Sequence, residues 1–108
     1  MIEPQVEAVF TALADPTRRR ILDQISEQGP LTATELATAY PMSRQAVVKH
    51  LNALAAARLL TGERQGRDVR YRVVAGGLDD AADWLHDVGE RWDRRLADLQ
   101  RHLRAPGH

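Results

Sequence analysis

The chain has 108 residues, 44% of them hydrophobic, which suits one compact domain with a modest core and leaves no room for a second. It has no cysteine, which excludes disulfides, thiolate metal sites and a cysteine nucleophile. No apolar run is long enough to span a membrane and no basic stretch followed by an apolar core marks a secretory leader, so a cytoplasmic location is expected.

Formal charge is zero but unevenly spread. Residues 1–42 carry three Arg against six acids, residues 43–74 seven Arg or Lys against two, and residues 75–108 five against seven. A basic middle between acidic flanks is the footprint of one surface that meets a polyanion, and it disfavours a protein that coats nucleic acid without selectivity. Pro4 suits the first turn of a helix with the apolar stripe Val6, Val9, Phe10 and Leu13. Asp15 is placed to cap a second helix, with Pro16 in its first turn and Ile21, Leu22 and Ile25 buried, and Gly29-Pro30 stops it. Thr32 and Glu35 have the spacing of a capping box for a short third helix, Ala33 to about Ala39, which Pro41 closes.

Ser43 caps the fourth helix, about 43–57, in which Val47, Leu51 and Leu54 follow the helical period. Two short helices across a tight turn form a helix-turn-helix. Arg44, Gln45, Val48, Lys49 and Asn52 lie opposite the apolar stripe. Arg can meet guanine, and Gln or Asn adenine, through paired hydrogen bonds in the major groove, so such a row can read bases; a merely solvated face is the competing reading. Over about 59–74, Gly66-Arg67-Asp68 forms a turn, and Val69, Tyr71 and Val73 alternate with Arg70 and Arg72, which predicts a β-hairpin with a basic outer face.

Gly76-Gly77 reads as a hinge. Beyond it, Leu78, Leu85, Val88, Trp92, Leu96, Leu99 and Leu103 form a near-heptad seam on a helix over about 78–104. Such a helix is about 39 Å long, more than a domain of this size can cover. Part of the seam, together with the first helix, is therefore expected to pack against a second copy.

Leu13-Ala14-Asp15-Pro16-Thr17-Arg18-Arg19-Arg20-Ile21-Leu22, Ser43-Arg44-Gln45-Ala46-Val47-Val48-Lys49-His50-Leu51, and Gly66-Arg67 with Tyr71 resemble the ArsR/SmtB family of bacterial repressors, over roughly residues 8–75. The resemblance implies a mostly α fold with a small β-hairpin wing: a winged helix-turn-helix of five helices in a single domain, 1–108, dimerised through its first and last helices on double-stranded operator DNA. It places Ser43, Arg44, Gln45, Val48 and Lys49 against DNA and Arg64, Arg67 and Arg70 on phosphate. It implies a dimer interface that includes Val6, Phe10, Leu85, Val88, Trp92, Leu96 and Leu99. Val48 stands where the family commonly has Ser or Thr, so an apolar contact suited to a thymine methyl replaces a hydroxyl. His50 follows the family pattern and is expected beside the core with a hydrogen bond. Arg18 to Arg20 are divided between intramolecular pairs and phosphate. Repression, as opposed to activation, rests on the resemblance alone.

Family members often sense metals or metalloids, and here the sequence departs from them. Sites in the third helix need cysteines. The site across the last helices combines Asp-x-His with His-x-x-Glu or His-x-x-His, whereas Trp84 stands two before His86 and Ala105 three after His102. His86 with Glu90 and Asp98 with His102 leave a non-standard alternative, although helical His/acid pairs are more often surface salt bridges. No cofactor or metal is expected, nor any response of DNA binding to zinc, cadmium, nickel, arsenite or antimonite. No nucleophile constellation or phosphate-cradling loop suggests an enzyme. A winged helix that binds only protein and a metal-responsive repressor stay open as second readings; the operator, the regulated genes and any effector are not legible.

Overall fold

The computed structural model describes residues 2–104. Its elements are α1 (Pro4–Leu13), α2 (Pro16–Gln28), β1 (Leu31–Thr32), α3 (Ala33–Ala37), α4 (Arg44–Ala56), β2 (Leu60–Gln65), β3 (Asp68–Val73) and α5 (Gly76–Arg104). The mostly helical winged architecture stands as expected, with one addition. The hairpin gains a third strand, in the order β1-β3-β2: β1 pairs antiparallel with β3, Leu31 opposite Tyr71 and Thr32 opposite Arg70. Two residues are too few to show alternation, so no sequence period marks β1.

Local chemistry sets the helix starts. Asp15 Oδ1 accepts from the backbone N–H of Thr17 at 2.8 Å and of Arg18 at 3.3 Å, and Ser43 Oγ accepts from Ala46 N–H at 3.1 Å. Thr32 and Glu35 complete the reciprocal box, each side chain accepting from the other's backbone N–H at 3.1 Å. Burial works to raise the Asp15 carboxyl, but the Arg18 and Thr17 amides and the nearby His50 and Arg18 side chains hold it below its ordinary range. Glu35 is also lowered, by the Thr32 amide first, then the Thr32 hydroxyl and Arg70. Carboxylates lowered in this way stabilise the fold above their unfolded-state range, and that contribution is lost as pH falls through the lowered folded values.

The core is built by Val9, Ile21, Ile25, Leu36, Val47, Leu51, Leu54 and Leu59, all fully buried. The inner stripe of α4 thus lies wholly inside. α1 packs along the first turns of α5, where Phe10 stands edge-on to Trp84 with ring centroids 5.6 Å apart. Val6 is 4% exposed within this core. The side chain packs within its own protomer. Phe10 keeps a partly exposed edge.

Gly76 and Gly77 are not a hinge; they are the first turn of α5. Gly77 N–H donates to Arg58 O at 2.8 Å, and a Cβ on Gly77 would stand 2.2 Å from Ala57 O, so only glycine allows the two helix ends to approach this closely. Arg58 ends α4 in the left-handed region at φ 60°, and its Nη1 meets Asp80 Oδ2 of α5 at 2.6 Å.

From Gly89 to Arg104 every residue of α5 is exposed, and the described protein extends 73 Å along its long axis against 25 and 24 Å across. Leu85, Trp92, Leu96 and Leu99 are each 52–54% exposed and Leu103 73%. Arg95 places its guanidinium over the Trp92 ring, 5.3 Å from the centroid. The seam also departs from a heptad. Ala81 and Val88 fill the second heptad slot at first, but Arg95 and His102 take it later, and Leu96 and Leu103 stand one place on. Leu85 to Leu96, Val88 to Leu99 and Trp92 to Leu103 are each eleven residues apart, the spacing of helices that pair with a slight right-handed twist.

Candidate nucleic-acid interface

The helix-turn-helix consists of α3, the turn after it and α4. Tyr40 in the turn donates its hydroxyl to Gln24 Oε1 of α2 at 3.0 Å, and burial pushes its phenol up. This ties the turn to the core. With Val47, Leu51 and Leu54 buried, α4 presents Ser43, Arg44, Gln45, Lys49 and Asn52 to solvent, while Val48 is half-buried and packs against the core edge. Arg44 Nε donates to Thr34 Oγ1 of α3 at 3.1 Å, which tethers the guanidinium between the two helices.

The hairpin stands beside this face. Gly66 at φ 64° and Arg67 form its two-residue tip, with positive φ at the first central residue and not the second, the sign pattern of a type II′ turn. On β2, a Cβ at Gly62 would lie 2.8 Å from Val69 Cγ1 and 3.2 Å from Tyr71 Cε1, so the bare position accommodates the side chains of β3. Between α4 and the hairpin runs a groove of about 250 Å³ whose lining includes Arg44, Val48, Arg64, Arg67 and Tyr71. Residues sixteen or more apart in sequence, from α4 and the hairpin, thus converge on one concave basic surface. Gln45 and Lys49 extend that surface along α4.

Arg70 does not join it. Expected on phosphate, it is turned back into the protein: Nη1 lies 2.9 Å from Glu35 Oε1 and donates to Pro30 O at 3.3 Å, while Nε donates to Gln65 Oε1 at 3.1 Å. Strand alternation shows which face a side chain leaves from and not what it reaches across the fold. His50 takes a structural place, its Nδ1 accepting from Arg18 Nε at 3.2 Å. Arg19 Nη1 donates to Leu13 O at 2.6 Å, so two of the three consecutive arginines are engaged within the protein.

On α5, His86 Nε2 pairs with Glu90 Oε1 at 3.1 Å, and Asp98 pairs with Arg101. Among the described residues no group of three or more His, Cys, Asp or Glu is gathered as a metal site, and no helix is long and apolar enough to cross a membrane. Ala105 lies outside the described residues. Trp84, read from the sequence only as a non-ligand, is the aromatic that joins α5 to α1; its three-residue offset from Ala81 was the available signal.

A helix-turn-helix whose second helix bares a polar, base-competent face beside a basic two-stranded wing defines a winged helix-turn-helix protein of the DNA-binding class. A family model described as a helix-turn-helix domain matches residues 13–63. The chain is 33% identical over 88 residues to the transcriptional repressor SdpR of Bacillus subtilis, covering 82% of this chain and 97% of that one. It is similar in structure to an ArsR-like transcriptional regulator from Rhodococcus sp. RHA1, at 40% identity and a TM-score of 0.80, over 94% of both chains. It is also similar to a homodimeric winged helix-turn-helix DNA-binding domain from Mycobacterium bovis, at 32% identity and a TM-score of 0.61, over 85% and 82% of the two chains. The chain belongs to the ArsR family of winged helix-turn-helix transcriptional regulators.

Proposed function

We propose that the protein is a homodimeric repressor that binds a two-fold operator in double-stranded DNA, in the cytoplasm, with α4 in the major groove and the wing along the backbone. One observation carries this: Arg44 and Val48 of α4 line one groove with the exposed Arg64 and Arg67 of the wing, while the opposite stripe of α4 is fully buried. Ser43 and the first amides of α4 meet a phosphate. Arg44, Gln45 and Lys49 face base edges, and Val48 offers its methyls to thymine. Arg64 and Arg67 grip phosphate. Two supports for the assembly are the exposed apolar seam of Leu85, Trp92, Leu96 and Leu99, with Phe10 and Val88 at its edge, and the homodimeric state of the Mycobacterium bovis domain. Repression follows the relative SdpR, and blocking a promoter needs no catalytic group or cofactor.

Footprinting tests the reading. Two protected half-sites should lie about one helical turn, ~34 Å, apart. Tight binding of a single half-site by a monomer would overturn it.

The roles within the groove separate by salt. Gln45→Ala is expected to cost roughly 1 to 3 kcal/mol and to relax preference at particular base pairs. Arg67→Ala should weaken all sequences alike and reduce the slope of log K against log salt by about one. Titrations on the operator and its single-base variants at several salt concentrations check both; a change of base preference in Arg67→Ala with the salt slope intact would reverse the assignment.

A further inference from the structure

A wing made of one hairpin has a free tip and needs something to fix its angle. Arg70 sits near the middle of β3, opposite Glu63 of β2 on one side and Thr32 of β1 on the other. From there its guanidinium reaches three different segments: Glu35 of α3, the Pro30 carbonyl before β1, and Gln65 at the end of β2. Glu35 Oε1, which receives Arg70, is also the oxygen that accepts the Thr32 amide and closes the capping box. A planar fork bonded through both Nε and Nη1 resists twisting as well as separation. The chain of contacts continues from α3 to α4 through Thr34 and Arg44.

We infer that Arg70 is a positioning residue: with Glu35 it sets the angle between the wing and α4, and so the place where Arg64 and Arg67 meet the DNA backbone. The inference rests on the DNA-binding reading above and deepens it, assigning Arg64 and Arg67 to phosphate and Arg70 to the joint. It also gives Glu35, an acidic side chain beside a basic groove, a role in holding a polyanion.

Glu35→Gln distinguishes this from a direct phosphate role by the sign of its effect. Gln serves a capping box as Glu does, so α3 keeps its start while Arg70 loses its charged partner. For a phosphate ligand, removing a competing carboxylate would tighten DNA binding. For a positioning residue it loosens the wing.

The experiment compares the full-length protein with Glu35→Gln, Arg70→Gln and the double variant, by operator affinity, hydroxyl-radical footprint, and amide exchange of the protein without DNA. Glu35→Gln is expected to weaken operator binding by about three- to ten-fold. Protection should fade where the wing lies and persist where α4 lies. In the Arg70→Gln background the same change should have little further effect, because the two act as one unit. Amide exchange in β1 and β3 should quicken in either single variant. Binding that is unchanged or tighter in Glu35→Gln would overturn the inference, as would an equal loss in both backgrounds. Exchange in β1 and β3 unaltered by Glu35→Gln would overturn it without reference to DNA. A wild-type protein that protects no half-sites would instead overturn the functional reading, which separates the two failures.

Discussion

Leu96→Asp is expected to yield a folded monomer whose operator affinity is lower by about two orders of magnitude or more. Leu96 is half-exposed in the protomer and lies on the part of α5 that no other element of its own chain covers, so the substitution disturbs no core contact. In the proposed dimer the same residue falls mid-seam, where a carboxylate buried in an apolar interface without a counter-charge would cost several kcal/mol. Losing the second copy converts two linked half-site contacts into one, and linked sites commonly exceed single ones by about 100-fold or more. Sedimentation at micromolar concentration, thermal melting and a mobility-shift titration give the three readings. A variant that sediments as a dimer would remove Leu96 from the interface, and a variant that is unfolded even at low temperature would show that the distal helix contributes to the protomer's own stability.

Leu51→Ala acts from the other side of the reading helix. Leu51 is fully buried between Val47 and Leu54 and holds α4 to the core. Truncating it removes three heavy atoms from a packed interior, which costs roughly 2 to 5 kcal/mol, a large part of the 5 to 15 kcal/mol typical of a domain. The melting temperature should fall by about 10 °C or more. The bases preferred by the folded fraction at low temperature should not change, because the outer face keeps its residues. A drop of a degree or two would mean that the helix is held chiefly by its caps.

The parts of this fold legible in the sequence are those written in local chemistry. Asp15, Thr32 and Ser43 announce three helix starts because a cap is a short-range hydrogen bond, and Val47, Leu51 and Leu54 announce a buried face because burial follows the period. Long-range choices were not legible. Arg70 and Glu35 are far apart in the chain, and nothing in the alternation around Arg70 tells a phosphate contact from a bond to α3. Val6 shares a stripe with Phe10, yet the first is buried in the protomer and the second keeps an exposed edge. The glycine pair before Leu78 has the composition of a hinge; only the nearness of Ala57 O to Gly77 shows that the missing side chains serve contact instead of freedom. The polar row of α4 was legible as a list of side chains, but the meeting of Arg44 with Arg64 and Arg67 in one groove required the fold.

That glycine contact has a consequence for how such a protein is switched. The end of α4 and the start of α5 are bonded through Arg58 O, Gly77 and Asp80, so in the proposed dimer the helix assigned to DNA and the helix assigned to the second copy are joined directly. A small rotation of one protomer against the other would reappear at the far end as a change in the spacing and tilt of two reading helices, enough to take one of them out of phase with its groove. In the proposed dimer, an effector acting through this joint would need a differential affinity for two arrangements of the copies.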